Sequence, residues 1–267
     1  MKDISILSPE AGIPAPEAGI ALETRGLGRR WGSFAANSDI DFRLPVGARH
    51  ALIGPNGAGK TTFINMLTGV LTPSAGSVWL NGEEITHLPQ EARVARGIAR
   101  TFQINTLFPG LTVLESVLLA ILERRRETLN WYRPLKTYRA EIAEAMDLIR
   151  DLGLGAQAGE AVRTLAYGKQ RLVEIALALA TKPRILLLDE PAAGIPAGES
   201  TEIFSVIAAL PSDVSILFIE HDMELVRRFA DRITVLVAGR VLTEGAPDRV
   251  MSDPRVREVY LGEGEDA

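Results

Sequence analysis

The sequence predicts an α/β fold, in which strands alternate with helices around a central sheet. His50–Ile53 is a short apolar strand candidate that leads directly into a glycine-rich loop, and apolar residues at helical spacing follow that loop from Phe63 to Leu67. Ile185–Leu188 is an unbroken apolar run, typical of a strand buried on both faces of a parallel sheet. A chain of 267 residues can bury a full core, as one large domain or as two lobes that share a sheet.

The composition is ordinary for a globular protein, with 24 % charged and 46 % hydrophobic residues. A net charge of -5 argues against broad nucleic-acid binding, because a surface that follows phosphates needs an excess of basic residues. The absence of cysteine excludes disulfides and thiolate metal sites. Apolar runs are far shorter than the roughly 20 residues of a membrane span, and the first residues lack a secretory-signal pattern, so we expect a cytoplasmic location.

The stretch GPNGAGKTT, residues 54–62, fits the phosphate-binding pattern G-x-x-x-x-G-K-[ST]. Its glycines allow backbone angles that turn N–H groups inward around a phosphate, and the following helix adds the positive end of its dipole. Lys60 can reach the β- and γ-phosphates, and the Thr61 hydroxyl can ligate Mg²⁺. A glycine-rich turn that binds nothing is the alternative, but strand, loop, Lys-Thr pair and helix together favour a nucleotide site. The predicted contacts are Gly54, Pro55, Asn56, Gly57, Ala58, Gly59, Lys60, Thr61 and Thr62.

Strand patterns surround this phosphate loop on both sides. Residues 1–20, rich in proline and glycine, are expected to form a disordered or loosely attached extension, and Ala21 to Leu44 predicts an antiparallel sheet. Within that sheet Trp31 could stack on an adenine ring, with core packing as the alternative. After the loop we expect a strand at Gly76–Leu80 and a tight hairpin turn at Asn81-Gly82.

A further strand, predicted at Ile98–Phe102, ends at Gln103, whose carbonyl could approach Mg²⁺ or water; a surface amide is the alternative. Two helical patterns follow, at Leu111–Arg126 and Thr137–Leu152, and predict a helical lobe inserted into the α/β core. The basic run Arg124–Arg126 could contact anionic lipid or a partner, although its pattern favours a solvated helix face.

The second half of the chain places charged residues at predicted strand ends. Leu165–Arg171 is a small-residue turn that opens the apolar helix Leu172–Ala180 and offers a second phosphate site. Asp189 and Glu190 follow a buried strand, at the sheet edge where ligands bind, so Asp189 would hold Mg²⁺ through water and Glu190 would polarise an attacking water. A simple acidic turn is the alternative.

His221 likewise lies just past a predicted strand, Val214–Ile219, where it could contact the γ-phosphate or water. His50 and His87 have no such setting, and we expect both to be structural. The remaining expected elements are a hairpin and a helical tail, at Ile233–Val237, Arg240–Glu244 and Pro247–Leu261.

Taken in this order, the segments resemble the ATPase subunit of ABC transporters over about residues 21–262. The resemblance implies an α/β P-loop NTPase of the ABC ATPase type, with a mixed central sheet, an antiparallel β subdomain and an inserted α-helical lobe at about 104–180. Residues 1–20 and the tail 263–267 would lie outside the domain. The implied roles are adenine stacking for Trp31, catalysis for Glu190, His221 and Gln103, and metal binding for Thr61, Gln103 and Asp189. The implied signature loop, which contacts the ATP of a second subunit, is Leu165, Ala166, Tyr167, Gly168, Lys169 and Gln170, and the implied dimer-interface loop is Gly194–Glu199.

A narrower resemblance, to the branched-chain amino acid uptake ATPases, is carried by Ala99–Gln103, Leu107–Glu115, Leu165–Gly168 and the ending Asp253–Gly262. It implies an ATP- and Mg²⁺-dependent subunit, peripheral on the cytoplasmic face of the inner membrane. Such a subunit pairs with a second ATP-binding subunit and docks on two membrane permeases, with a periplasmic solute-binding protein acting indirectly and no nucleic acid. Relatives serve amides, urea and aromatic acids, so the cargo stays open. A soluble ABC-type ATPase or a nucleotide-dependent switch not coupled to transport is the alternative.

Two positions depart from the general pattern. Where the family has Ser-Gly-Gly-Gln, this chain has residues 166–169, and Ala166 has no hydroxyl to offer a γ-phosphate, so backbone N–H groups or Lys169 would replace that contact. In the dimer-interface loop, Pro196 stands one position earlier than the usual proline, fixing φ and removing a donor.

Overall fold

The computed structural model describes residues 19–101, 107–127, 134 and 137–261, whose strands form two sheets. The strands are β1 (Ile20–Trp31), β2 (Phe34–Pro45), β3 (Arg49–Ile53), β4 (Ala75–Leu80), β5 (Glu83–Glu84), β6 (Ile98–Arg100), β7 (Ile185–Asp189), β8 (Ser215–Ile219), β9 (Arg232–Val237) and β10 (Arg240–Gly245). One sheet has the order β2-β1-β4-β5 with antiparallel pairing, and the other has the order β10-β9-β3-β8-β7-β6. The second sheet is parallel from β9 to β6, and only β10 runs antiparallel. The predicted mixed central sheet and antiparallel β subdomain are therefore confirmed.

Helices connect the strands of the larger sheet and cover its faces. They are α1 (Lys60–Thr68), α2 (Gln90–Ala95), α3 (Val113–Arg124), α4 (Arg139–Asp151), α5 (Tyr167–Ala180), α6 (Ala197–Ala208), α7 (Met223–Phe229), α8 (Pro247–Ser252) and α9 (Pro254–Leu261). None of the helices in these described ranges is long and apolar enough to cross a bilayer.

The strand β7 shows why its sequence is apolar throughout. Ile185 and Leu187 join the core cluster that contains β1, β2 and α1, whereas Leu186 and Leu188 join the cluster that contains α3, α4, α5 and α6. Because side chains of a strand alternate between faces, both faces must be apolar when helices or a second sheet cover each of them. The prediction of a strand buried on both faces is confirmed.

Both predicted hairpin turns are confirmed by their backbone angles. Asn81 and Gly82 have φ of 49° and 83°, and Ala238 and Gly239 have φ of 49° and 76°. Positive φ at both central positions is typical of the type I′ turn, whose twist matches that of the strands it joins.

Some predicted bounds were wrong. β1 begins at Ile20, so the last residue of the expected extension is already in a sheet, and residues 1–18 lie outside the described ranges. α5 begins at Tyr167 and not at Leu172, which makes most of the predicted turn helical. The tail is two helices, because Asp253 precedes a proline and takes an extended conformation with ψ of 121°.

Arg124 and Arg125 of the basic run form ion pairs with α4. Arg124 donates to both carboxylate oxygens of Glu144 on α4, at 2.8 and 2.9 Å, and to the carbonyl of Ala180 at the end of α5. Arg125 pairs with Glu141 and Glu144. Arg124, with 18 % of its side chain exposed, therefore joins α3 to α4 and α5, whereas Arg125 keeps 38 % of its side chain exposed and Arg126 is exposed, as expected of a solvated face. Burial would raise the pKa of Glu144, but hydrogen bonds from Lys182 and Arg124 lower it to about 2.

A buried arginine closes the end of α1. Arg93 of α2 donates to the carbonyls of Met66 and Leu67 at 2.7 and 2.8 Å, to that of Thr86 at 2.8 Å and to that of Leu88 at 3.0 Å. The last carbonyls of a helix have no partner within the helix, so this guanidinium supplies a C-terminal cap. Burial lowers the pKa of Arg93 to about 10, which still leaves it charged at neutral pH.

We expect Arg93→Met to destabilise the protein by about 3 kcal/mol, because buried acceptors that lose a charged donor retain their desolvation cost. The matched control is Arg96→Met, three residues away, which breaks a partly exposed pair with Glu83 and an exposed bond to the carbonyl of Ala92, and should cost less than about 1 kcal/mol. Urea unfolding followed by circular dichroism measures both. Equal stability of the two variants would contradict the capping role.

Candidate functional site: a nucleotide-binding edge of the central sheet

Three predicted site segments meet at one edge of the larger sheet. β3 lies beside β8 and β8 lies beside β7, all parallel, so their carboxyl ends point the same way. The phosphate loop follows β3, Asp189 ends β7, and His221 is two residues past β8. Such an edge of a parallel sheet is where ligands bind in open α/β folds.

The phosphate loop needs glycine at Gly54 and Gly59 for steric reasons. Their φ values are 151° and 98°, in the region that L side chains rarely adopt. A Cβ on Gly54 would clash with the carbonyl of Leu236, and one on Gly59 would come within 2.6 Å of the Asn37 amide. Strands β2 and β9 thus press against the loop from outside and hold its backbone in a turn that leaves its inner side to a ligand.

Lys60 is the first residue of α1 and is buried by the loop that precedes it. Its Nζ donates to the carbonyl of Gly54 at 2.6 Å and to that of Pro55 at 3.0 Å. The first turn of α1 contains no acidic residue, and its N-cap, Gly59, offers no side chain to the helix N–H groups. An ammonium group, a positive helix end and no competing carboxylate in that turn suit the binding of phosphate.

Asp189 ends β7 with a cation already beside it. Its Oδ2 accepts from Arg100 of the neighbouring strand β6 at 2.6 Å, and the same guanidinium donates to the Asn65 side chain on α1 at 2.6 Å. The Asp189 carboxylate and the Thr61 hydroxyl are hard oxygen donors of the kind that Mg²⁺ prefers. Within the described residues no cluster of three acidic or imidazole groups forms a closed metal cage.

Glu190 and His221 lie against each other at the same edge. His221 Nε2 and Glu190 Oε1 are 2.9 Å apart, and both side chains are about two-fifths exposed, at 43 % and 42 %. Glu190 has φ of 50°, a strained value for a residue with a Cβ, and its N–H is held by the carbonyl of Ile219 at 3.1 Å. The Glu190 carboxylate and the His221 imidazole thus form a pair that solvent can reach.

Glu220 is a site residue that the sequence reading missed. It is buried, and its carboxylate accepts from the N–H of Ala192 at 3.0 Å and of His221 at 3.2 Å, so it joins the segment after Glu190 to the one that carries His221. Burial raises the pKa of Glu220, and the two N–H bonds only partly offset this. The signal in the sequence was an acidic residue directly after an apolar strand.

The signature loop leads into a helix whose first turn is crowded. Ala166 is the N-cap of α5 and Tyr167 its first residue, while Leu165 is buried. A Cβ on Gly168 would lie 2.8 Å from a carboxylate oxygen of Glu199, so a larger residue there would require the Glu199 side chain to shift. Gln170 donates to the carbonyl of Leu165 at 2.9 Å and stabilises the turn.

Lys169, which was expected to help replace the missing hydroxyl, pairs with Glu202 of α6 at 2.8 Å. Its ammonium is therefore engaged within the chain in this structure. Backbone N–H groups of the first turn of α5 are then the better candidates for a phosphate contact.

Pro196 sits at the N-cap of α6 with φ of -57°. Its carbonyl accepts from the N–H groups of Glu199 and Ser200, at 3.0 Å each. The early proline is therefore compatible with the first turn of α6. It supplies no capping side chain. Just before it, Gly194 lies over the ring of Tyr167, where an added Cβ would be 3.6 Å from the ring.

Trp31 ends β1 and is 46 % exposed, with the Arg29 guanidinium 5.0 Å from its ring centroid. An aromatic ring with this exposure is available for stacking, and core packing does not describe it. Gln103 lies outside the described residues, as do Trp131 and Tyr132. His50 is buried with Nε2 2.8 Å from Thr234 Oγ1, and burial lowers its pKa to about 3, as fits a structural histidine.

Comparison with known proteins agrees with this geometry. A family model described as ABC transporter matches residues 37–193, and a second, described as branched-chain amino acid ATP-binding cassette transporter, matches residues 240–266. The chain belongs to the ABC transporter family, and its fold is that of the family's ATP-binding cassettes.

The similar proteins include two named for branched-chain amino acid transport. The high-affinity branched-chain amino acid transport ATP-binding protein BraF of Pseudomonas aeruginosa is 40 % identical over 251 residues, which cover 91 % of this chain and 98 % of BraF. LivG of Escherichia coli K12, which carries the same description, is 39 % identical over 250 residues, with the same coverage. Among solved structures, the ADP conformation of MJ1267, an ATP-binding cassette of an ABC transporter, has a TM-score of 0.81 at 30 % identity and covers 92 % of this chain and 100 % of that one.

Proposed function

We propose that this protein is the ATP-binding and ATP-hydrolysing subunit of an ABC importer that takes up branched-chain amino acids or a related small solute. The observation that carries the proposal is the shared sheet edge, where the phosphate loop, Asp189, Glu190 and His221 meet. The identity to BraF and LivG over nine-tenths of the chain supports the class of cargo.

Binding of ATP would use groups that the fold already holds in place. Lys60 is shielded from water and directed at the loop interior, where exchange of its two carbonyl partners for phosphate oxygens gives stronger, charge-assisted bonds. Trp31 would stack on the adenine ring. Mg²⁺ would be held by Thr61 and Asp189, with Gln103 as a further ligand, and would supply charge neutralisation at the β- and γ-phosphates.

Hydrolysis would use Glu190 as the base that orients and polarises the attacking water. His221 lies 2.9 Å from the Glu190 carboxylate and can hold its orientation, contacting the γ-phosphate side of the site. The buried Glu220 would hold both segments in place by accepting from the N–H groups of Ala192 and His221.

Completion of the site would require a second ATP-binding subunit. The N-terminal turn of α5, with Ala166 and Gly168, would contact the γ-phosphate held by the phosphate loop of the partner. Closure of the pair would then depend on bound ATP, and hydrolysis would remove the bridging group. Two membrane permeases, with a periplasmic solute-binding protein acting indirectly, would place this subunit on the cytoplasmic face of the inner membrane.

The test combines co-purification with uptake. The tagged full-length protein, extracted from its own membranes in mild detergent, should bring down two integral membrane proteins, and deletion cells should take up radiolabelled leucine only when the wild-type gene is restored. A soluble partner instead of membrane subunits would favour the alternative, an ABC-type ATPase not coupled to transport. Recovery of membrane partners with unchanged leucine uptake would redirect the cargo to an amide, urea or an aromatic acid.

A further inference from the structure

Arg100 connects the two elements that carry the proposed metal ligands. It ends the edge strand β6, and its side chain is largely buried, with 14 % exposed beside 22 % for Asp189. One terminal nitrogen donates to Asp189 Oδ2 on β7 and the other to Asn65 Oδ1 on α1, each at 2.6 Å. A guanidinium is planar and rigid, so these two bonds set the spacing of their acceptors.

Asn65 connects Arg100 to the helix that carries Thr61. Asn65 lies about one turn after Thr61 on the same helix, and α1 begins directly after the phosphate loop. Asp189 is the last residue of β7. Arg100 thus ties the helix that carries Thr61 to the strand end that carries Asp189, across a sheet in which β3 and β7 are separated by β8.

A carboxylate has two oxygens, and the bond to Arg100 uses Oδ2. The other oxygen can still accept from a metal-bound water, so a guanidinium and a hydrated cation can share one carboxylate. The net charge favours this sharing, because nucleotide phosphates and Asp189 together carry more negative charge than a divalent cation neutralises.

We propose that Arg100 is a positioning residue of the magnesium site, which fixes Asp189 relative to α1 through Asn65. The proposal rests on the assignment of Thr61 and Asp189 as metal ligands in the proposed function. A bridge that orients metal ligands from behind changes metal affinity when it is lost, typically by 10- to 100-fold, and leaves metal-free binding of the nucleotide in place.

The test measures metal and nucleotide binding separately in the full-length protein. A fluorescent ATP analogue is titrated in EDTA, and Mn²⁺ is then titrated into protein that holds a non-hydrolysable ATP analogue without excess free nucleotide, with free Mn²⁺ followed by electron paramagnetic resonance and corrected by a titration of the nucleotide alone. For Arg100→Gln we expect analogue affinity in EDTA within about twofold of wild type and Mn²⁺ affinity lower by about tenfold or more. Asn65→Ala should act in the same direction, and the double variant should lose no more than the stronger single one, because both remove one bridge.

Arg100→Lys keeps the charge but can reach only one of the two acceptors, so it should recover part of the Mn²⁺ affinity. The matched control is Arg96→Gln, which breaks an exposed pair and should match wild type in both titrations. Unchanged or tighter Mn²⁺ binding in Arg100→Gln would overturn the inference, since it would make Arg100 a competitor of the metal. An equal loss of analogue binding in EDTA would overturn it as well, since it would indicate a general structural role. Failure of wild type to bind Mn²⁺ with ATP would instead overturn the proposed function and this inference together.

Discussion

Replacement of Glu190 by glutamine is expected to lower ATP hydrolysis by about 10²- to 10⁴-fold while ATP binding stays within about twofold of wild type. Glutamine has nearly the same shape as glutamate but cannot accept a proton, so it removes the base and keeps the geometry. The positive φ of Glu190 is set by its backbone bond to Ile219, which the substitution leaves intact. Phosphate release gives the turnover rate, and the fluorescent analogue gives the affinity.

The same variant should accumulate as a closed dimer in the presence of ATP and Mg²⁺, because the γ-phosphate that bridges the two subunits would persist. Light scattering coupled to size-exclusion chromatography, with and without ATP, measures this shift in mass. Glu91→Gln, at an exposed position in the first turn of α2, is the matched control and should hydrolyse ATP at the wild-type rate. Wild-type turnover in Glu190→Gln would remove Glu190 from catalysis and leave His221 or an unassigned group as the base.

The parts of the site that the sequence could predict are those whose residues act through local geometry. Gly54 and Gly59 occur where the backbone needs positive φ, so the loop can be read from its spacing alone. Asp189, Glu190 and His221 could be placed because carboxyl ends of parallel strands meet at one edge, whatever the order of the strands. Their role in hydrolysis remains a prediction that the variant above tests.

The bridges between distant segments could not be predicted. Arg100 meets Asn65 and Asp189 across 35 and 89 positions of the chain, and nothing in the local pattern of β6 marks its partners. The contact between Arg124 and Glu144 could not be predicted either. A basic run on a helix has the same sequence pattern whether it faces solvent or an acidic residue of another helix. Such pairs depend on how helices pack, which single-sequence periodicity does not specify.

The departure at Pro196 shows that a change in a motif does not by itself predict a change in backbone structure. A proline that is misplaced in a motif is expected to disturb the loop, yet the fixed φ of -57° suits the start of α6, and the carbonyl of Pro196 accepts from Glu199 and Ser200. The residue at this position of the motif differs from the usual one, but the backbone conformation at the start of α6 accommodates proline. The Glu199 side chain, near the start of α6, lies beside Gly168 at the start of α5.

Replacement of Lys60 by alanine is expected to lower ATP affinity by about 100-fold, and it separates binding from the hydrolytic step that Glu190→Gln removes. Lys60 is buried against the carbonyls of Gly54 and Pro55, so the substitution removes the positive charge nearest the phosphates together with the two bonds that hold the loop around it. A charge-assisted hydrogen bond contributes about 1.5–3 kcal/mol, and about 1.4 kcal/mol corresponds to a tenfold change in affinity. Titration of the fluorescent ATP analogue in EDTA measures the loss without a contribution from the metal.

Two further variants give the loss of Lys60 its interpretation. Lys60→Arg keeps the charge but places a wider, planar group in a space that encloses a single ammonium, so its affinity should also fall. Lys182→Ala removes an exposed lysine that pairs with Glu144 and does not belong to the phosphate loop, and this variant should bind the analogue as wild type does. If Lys60→Ala bound ATP with unchanged affinity, the loop would not be the phosphate site, and the shared sheet edge would need another ligand. If Lys60→Arg bound the analogue as wild type does while Lys60→Ala did not, a positive charge at this position would be sufficient for binding. The hydrogen bonds from Lys60 to the two loop carbonyls would then not be needed to shape the loop for its ligand.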